Sequence, residues 1–196
     1  MTHEEVFTYI TNQFEFNAAL GVPKSLLHCT LDNFVGERPI ETPGFISGPV
    51  GCGKSHLAVG FLRKEIENLM IDGTALTQSG DFLIRLKASV SSVAFISTWR
   101  FIQKMKEFET ANKTLEYYQN CEFLVLDDLG TTRPTDFVMD VLPTLILARQ
   151  EDAKKTLVTS NLSIVEIAKL YGERIASRIV SFGDVVKLNG KDRRIK

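Results

Sequence analysis

Only three cysteines occur in the 196 residues, Cys29, Cys52 and Cys121. They are odd in number and far apart, which argues against a disulfide scaffold and for a reducing compartment. No stretch reaches the ~18 apolar residues that a membrane span needs. The opening MTHEEVFTYITNQFEF has no basic segment leading into an apolar one, so no secretory signal is read there. A cytoplasmic location with no membrane partner is expected. Charge excess is also missing: 23 Lys and Arg stand against 24 Asp and Glu, for a net charge of -1. A chain that binds nucleic acid through bulk positive charge is thereby disfavoured, although a local basic patch fits inside a neutral total. What the sequence does have is apolar material. A hydrophobic fraction of 44% rules out disorder over most of the chain. At this length it fills one domain rather than two.

The pattern along the chain alternates short apolar strands with amphipathic helices. Val6, Ile10 and Phe14 predict a helix over 4–20 that ends at Gly21 and Pro23. It is read as packing on its own domain, with a docking role as the alternative. Phe45 and Ile46 read as a strand and His56 to Leu69 as a helix. The stretch 71–92, around FLIRL, reads as either a surface hairpin or a short helix. VAFIS is a strand, TWRFIQKMKEFE a helix, and CEFLVLDDLG a buried strand ending in acids. The near-continuous apolar run Phe123 to Leu126 fits a parallel strand covered on both faces. TDFVMDVLPTLILARQ is a helix capped by Thr135, which Pro143 should kink or divide. KKTLVTSN is a strand, and Ser163 with Glu166 makes a capping box for the next helix. ERIASRIVS is a further helix, and DVVKLNG a last strand. The alternation predicts an α/β fold with a mostly parallel sheet between helices.

Four motifs carry chemistry. GPVGCGKS, from Gly48 to Ser55, matches G-x-x-x-x-G-K-[ST] and lies between a strand and a helix. Its glycines Gly48, Gly51 and Gly53 let the backbone wrap a phosphate chain without Cβ clashes. The N–H groups of such a loop form an anion nest, and the helix that follows presents its positive end. Pro49, Val50, Cys52 and His56 complete the expected nucleotide-contacting segment. Lys54 is placed to reach β/γ-phosphates, and the Ser55 hydroxyl to ligate Mg²⁺. The second motif is FLVLDDLG. A phosphate loop needs a carboxylate at the end of a neighbouring strand to hold the metal. Asp127 takes that role, and Asp128 the role of the base that orients attacking water. In LVTSN, Asn161 closes a strand and is placed to bond that water or the γ-phosphate. In YGERIASRI, Arg174 and Arg178 share a helix face, read either as solvated charges or as an arginine finger reaching a neighbouring subunit. A basic cluster closes the chain: Lys187, Lys191, Arg193, Arg194 and Lys196 against Asp192. It suits a γ-phosphate contact, DNA phosphates, or a plain soluble tail.

Taken in order, TLDNF, GPVGCGKS, VLDDLG, TSNLS, YGERIASRI and NGKDRR resemble the AAA+ ATPases of the DnaA/DnaC/IstB group, over roughly four-fifths of the chain. The resemblance is strongest to a minimal DnaC-type helicase loader or an IstB-type transposon helper. It implies a P-loop NTPase fold with an AAA+ core and an absent or vestigial lid. It implies an ATPase core over 29–196, from which the chain departs by a short N-terminal helix and linker over 1–28 and by an insertion near 71–92 that is longer than the family pattern. By the same resemblance ATP and Mg²⁺ are the cofactors. Lys54 and Ser55 correspond to the Walker A pair, Asp127 and Asp128 to the Walker B acids, and Asn161 to sensor 1. Arg178 corresponds to the arginine finger, and Arg194 to the sensor 2 arginine, a role for which Arg193 competes. The implied activity is an ATPase that is weak as a monomer and works in homo-oligomers, as a ring or helical filament. The implied task is loading or remodelling a replicative helicase on single-stranded DNA. The alternatives are a transposition helper that recruits a transposase on duplex DNA and a nucleotide-gated protein adaptor without catalysis.

Overall fold

A computed structural model describes residues 20–39, 41–71, 92–190 and 192. The expected N-terminal helix over 4–20 and the insertion near 71–92 lie outside the described residues, as do Lys191, Arg193 and Arg194.

Five strands form one parallel sheet: β1 (Phe45–Ser47), β2 (Val93–Ser97), β3 (Phe123–Leu129), β4 (Lys155–Ser160) and β5 (Val185–Lys187). Their order across the sheet is β2-β3-β4-β1-β5, every neighbouring pair parallel. Six helices join them: α1 (Lys54–Ile71), α2 (Thr98–Met105), α3 (Ala111–Asn120), α4 (Asp136–Glu151), α5 (Ile164–Tyr171) and α6 (Glu173–Val180). No helix among the described residues is long and apolar enough to cross a membrane.

Because side chains alternate along a strand, the sheet feeds two cores. Ile46, Phe95, Phe123, Val125 and Leu157 face α1, where Leu57, Phe61, Leu62 and Ile66 meet them. Phe45, Ala94, Ile96, Leu124, Leu126 and Val158 face the other way, against Phe101, Leu142, Leu145, Ile167 and Ile179. Both faces are covered, which explains the unbroken apolar run in β3.

Several local expectations hold. The Thr135 side chain accepts from the Val138 N–H at the start of α4, and the Ser163–Glu166 capping box opens α5. One expectation needs correction. The helix beginning TWRF ends at Met105, and a separate α3 follows it. Of that second helix only Tyr118 is buried, so its sequence carries almost no apolar period. Pro143 does not divide α4. It lacks the N–H that would bond four residues back, while the neighbouring Thr144 hydroxyl donates to the Asp140 carbonyl at 2.7 Å.

Arg149, near the end of α4, is wholly buried. Its guanidinium donates to the carbonyls of Tyr118 (2.8 Å), Gln119 (3.2 Å) and Cys121 (2.8 Å), so it caps the last turn of α3. It also donates to the Thr156 hydroxyl at 2.8 Å and the Lys155 carbonyl at 2.6 Å. One side chain thus ties α3 and α4 to the start of β4. Burial pulls its pKa below the usual guanidinium value, while the neighbouring Cys121 thiol opposes that shift.

Candidate nucleotide-binding site

The GPVGCGKS loop runs from the end of β1 into α1. Gly51 and Gly53 hold φ of 75° and 102°, the left-handed region that L side chains avoid. Buried Lys54 turns its ammonium back onto the loop, donating to the carbonyls of Gly48 at 3.0 Å and Pro49 at 2.8 Å. The chain after β5 lies along the other side of the loop. The Leu188 N–H donates to the Ser47 carbonyl at 2.7 Å, and a Cβ on Gly48 would stand 2.5 Å from the Leu188 oxygen. At Gly51 a Cβ would stand 1.8 Å from an Asp192 carboxylate oxygen. The Asp192 carboxylate therefore rests on the bare face of the loop.

Across the end of β4 stand the acids. Ser55 donates to both oxygens of Asp127, at 2.9 and 3.1 Å. Thr159, fully buried on β4, donates to Asp127 Oδ1 at 2.6 Å. Burial pushes the Asp127 carboxyl up to about 6; neighbouring Asp128 adds to that shift, and the bonds from Thr159 and Ser55 oppose it. Asp128 is half-buried, with φ 57°, and its N–H donates to the Thr159 hydroxyl at 3.0 Å.

This arrangement comes from an irregular ladder. Leu126 pairs with Val158 and Leu129 with Ser160, so two acids share the span of the single residue Thr159. That is a β-bulge. The extra residue also returns Leu129 to the α4–α6 side, where it is buried.

The donor set fits the implied cofactors. A hydroxyl and a carboxylate already in contact are hard oxygen ligands of the kind that hold Mg²⁺ together with substrate phosphates. The glycine-lined loop ahead of α1 suits a phosphate chain.

No protein-family model matches the chain, and no curated protein matches it. Solved structures do. The DnaC helicase loader superposes with a TM-score of 0.61 at 21% identity, covering 85% of this chain and 100% of that one. DnaI gives 0.61 at 19% identity, covering 88% and 94%. The AMPPCP-bound DnaA from Aquifex aeolicus gives 0.59 at 20%, covering 84% of this chain and 51% of that one. The chain shares the α/β fold of these proteins.

Within the sheet, β4 separates the loop strand β1 from the acid strand β3. Asn161 follows β4 directly, between the ends of those two strands, with an exposed side chain. His56, in the first turn of α1, lies against the segment 30–34. Its Nε2 is 2.9 Å from the Thr30 carbonyl and 2.7 Å from Asn33 Oδ1. Asn33 Oδ1 also accepts from the Thr30 N–H. Both partners are acceptors, so Nε2 carries the hydrogen. Phe34 meets the same ring edge-on, with centroids 5.4 Å apart.

Arg178 is not at this site. Its guanidinium donates to Gln150 Oε1 at 2.8 Å, near the end of α4, where the chain turns into the start of β4. The loop lies at the other end of the strands, roughly 20 Å away along six residues of strand. Arg174 is exposed on the same helix. Sequence reasoning overlooked Thr159, Asn33 and Asp192. The only pointer to Thr159 was its place in LVTSN, two residues before Asn161.

Proposed function

We propose that this chain is an ATP-dependent helper of DNA replication that loads or remodels a replicative helicase on single-stranded DNA. The observation that carries the reading is the Ser55–Asp127 contact, which joins the phosphate loop to an acid on a strand two places away. Bound Mg²⁺ would neutralise phosphate charge, and ATP would supply the phosphoryl group transferred to water. Lys54 leaves the carbonyls of Gly48 and Pro49 to meet β/γ-phosphates, exchanging two neutral acceptors for anionic ones. The rest of the segment from Gly48 to His56 would lie along the nucleotide. Ser55 and Asp127 would hold the metal. Asp128 accepts the proton of the attacking water, and Asn161 orients that water from the end of β4. Arg178 stands at the opposite end of the strands from its own phosphate loop and so serves a neighbouring subunit's nucleotide in a ring or filament. Hydrolysis by an isolated protomer is then weak, since a trans arginine supplies ~10³–10⁵ in rate. Arg194 follows as the sensor 2 contact. Residues 29–196 form the ATPase core, and Leu20 and Val22, from the linker that leads into it, pack in that core.

The DNA part draws on exposed side chains in and just after α2. Trp99 and Phe108 are exposed there, among exposed Arg100, Lys104 and Lys106 and the acids Glu107 and Glu109. Aromatic rings with cations between them suit unstacked bases and their phosphates. The similar structures point the same way, two of them being a helicase loader and DnaI.

The test has two arms. A fluorescent ATP analogue is titrated against the wild type and Lys54→Ala, with and without Mg²⁺; equal affinity for both proteins would overturn nucleotide binding at this loop. Native lysate is then passed over the immobilised protein with ATP or ADP. Retention of a hexameric helicase in one nucleotide state supports the loader, and retention of a transposase replaces it with the transposition helper.

A further inference from the structure

We propose that Thr159 is a positioning residue for the ATPase reaction, a reading that rests on the nucleotide site described above. A β-bulge leaves one backbone group outside the ladder. In β3 that group is the Asp128 N–H, which would be buried without a strand partner. Thr159 Oγ1 accepts it at 3.0 Å and passes its own hydrogen to Asp127 Oδ1 at 2.6 Å. The hydroxyl acts once as acceptor and once as donor, so one oxygen fixes both acids. It holds the Asp128 backbone at φ 57°, a conformation that non-glycine residues seldom adopt. It also sets the rotation of the Asp127 carboxylate, whose two oxygens Ser55 already engages. The inner end of the bulge is anchored separately, because buried Thr98 donates to the Asp127 carbonyl at 3.1 Å.

The role follows from geometry and not from burial alone. Thr159 lies on the α1-facing side of β4, as Leu157 does two residues earlier. An apolar residue would pack there equally well, and Val is nearly the same shape. Only a hydroxyl can join an amide donor to a carboxylate acceptor at that point. With Val, the Asp128 N–H loses its partner and the Asp127 carboxylate loses one of its two hydroxyl donors. The bulge then has no reason to present both acids at the end of the strand.

Three variants test this in the full-length chain: Thr159→Val, Thr159→Ala and Thr159→Ser. The first readout is affinity for the fluorescent ATP analogue with Mg²⁺ and with EDTA. The second is hydrogen exchange of the Asp128 amide by NMR without nucleotide. Loss of a group that orients a metal ligand costs about 10- to 100-fold in metal affinity or activity. The Mg²⁺-dependent part of the affinity should fall by that factor in Val and Ala, with EDTA affinity unchanged, and Ser should restore it. Exchange at Asp128 should quicken in Val and Ala and stay slow in Ser. Wild-type Mg²⁺ dependence in a folded Val or Ala variant, or failure of Ser to rescue, would overturn the proposal. If Val does not fold, Ala and Ser decide between the same outcomes. A wild type that binds no nucleotide overturns the functional reading instead, and the Asp128 exchange rates still judge the clamp.

Discussion

The Ser55 hydroxyl reaches both oxygens of the Asp127 carboxylate, at 2.9 and 3.1 Å, although the residues are 72 apart in sequence. The contact joins two elements that no ladder joins, since β4 lies between β1 and β3. Asp127→Asn keeps one accepting oxygen for Ser55 and removes the anionic ligand. Its expected effect is loss of Mg²⁺-stimulated analogue binding with metal-free binding intact. Parallel titrations with Mg²⁺ and with EDTA check it.

The same carboxylate sets a pH dependence. Burial raises the Asp127 pKa to about 6 from the ordinary carboxylate value of 3.8. Between those values the folded chain holds more protons than the unfolded one, so stability falls as pH rises through the window. The cost of the buried charge is complete above about pH 6 and absent below 3.8. Across the window it amounts to about 3 kcal/mol as an order of magnitude. Without nucleotide, Asp127→Asn should therefore be more stable than wild type near neutral pH, with the difference closing on acidification. Denaturant melts of both proteins across the window check this. A difference independent of pH would refute it.

Arg178 and Gln150 form a contact away from the phosphate loop. Arg178→Ala should cost about 1 kcal/mol or less in stability, the range of a single partly exposed hydrogen bond, and should abolish hydrolysis by assemblies. Mixing it with Asp128→Ala protomers should restore part of the rate, because each variant supplies what the other lacks. The check is ATPase activity against mixing ratio in samples shown to co-assemble. A flat line at zero counts against the trans role.

Arg149 makes a different kind of prediction. Arg149→Ala leaves the carbonyls of Tyr118 and Cys121 without their donor in a closed interior, at a cost of about 1–3 kcal/mol for each unsatisfied group. Arg149→Lys should not rescue it, since a point charge cannot span acceptors at the end of α3 and the start of β4 as the planar fork does. Thermal melts of the two variants check both statements.

Where backbone chemistry dictates residue type, the sequence was legible. The glycines at 51 and 53 announce positive φ, and the lysine–serine pair after them announces phosphate and metal. Alternating strands and helices announced the parallel sheet. Other features had no local signal. Nothing in LVLDDLG marks a bulge, because the residue at positive φ is Asp128 and not a glycine. Thr159 reads as an ordinary β-branched strand residue until β3 is placed beside it. Helix α3 escaped because it rests on tertiary contacts through Tyr118 and Arg149, not on a repeating apolar stripe.

Strand order also governs when the site can exist. β1 carries the phosphate loop, yet its neighbours are β4 and β5, which begin more than a hundred residues later. Pairings between such distant segments form late, because long loops must close before the contacts reward them. On the ribosome, where N-terminal segments emerge first, the loop strand waits unpaired until β4 is out and gains its second neighbour only with β5. The phosphate loop of the nascent chain therefore has no ordered neighbours until then. The proposed nucleotide site, encoded ahead of the strands that flank it, exists only once the whole domain has been made.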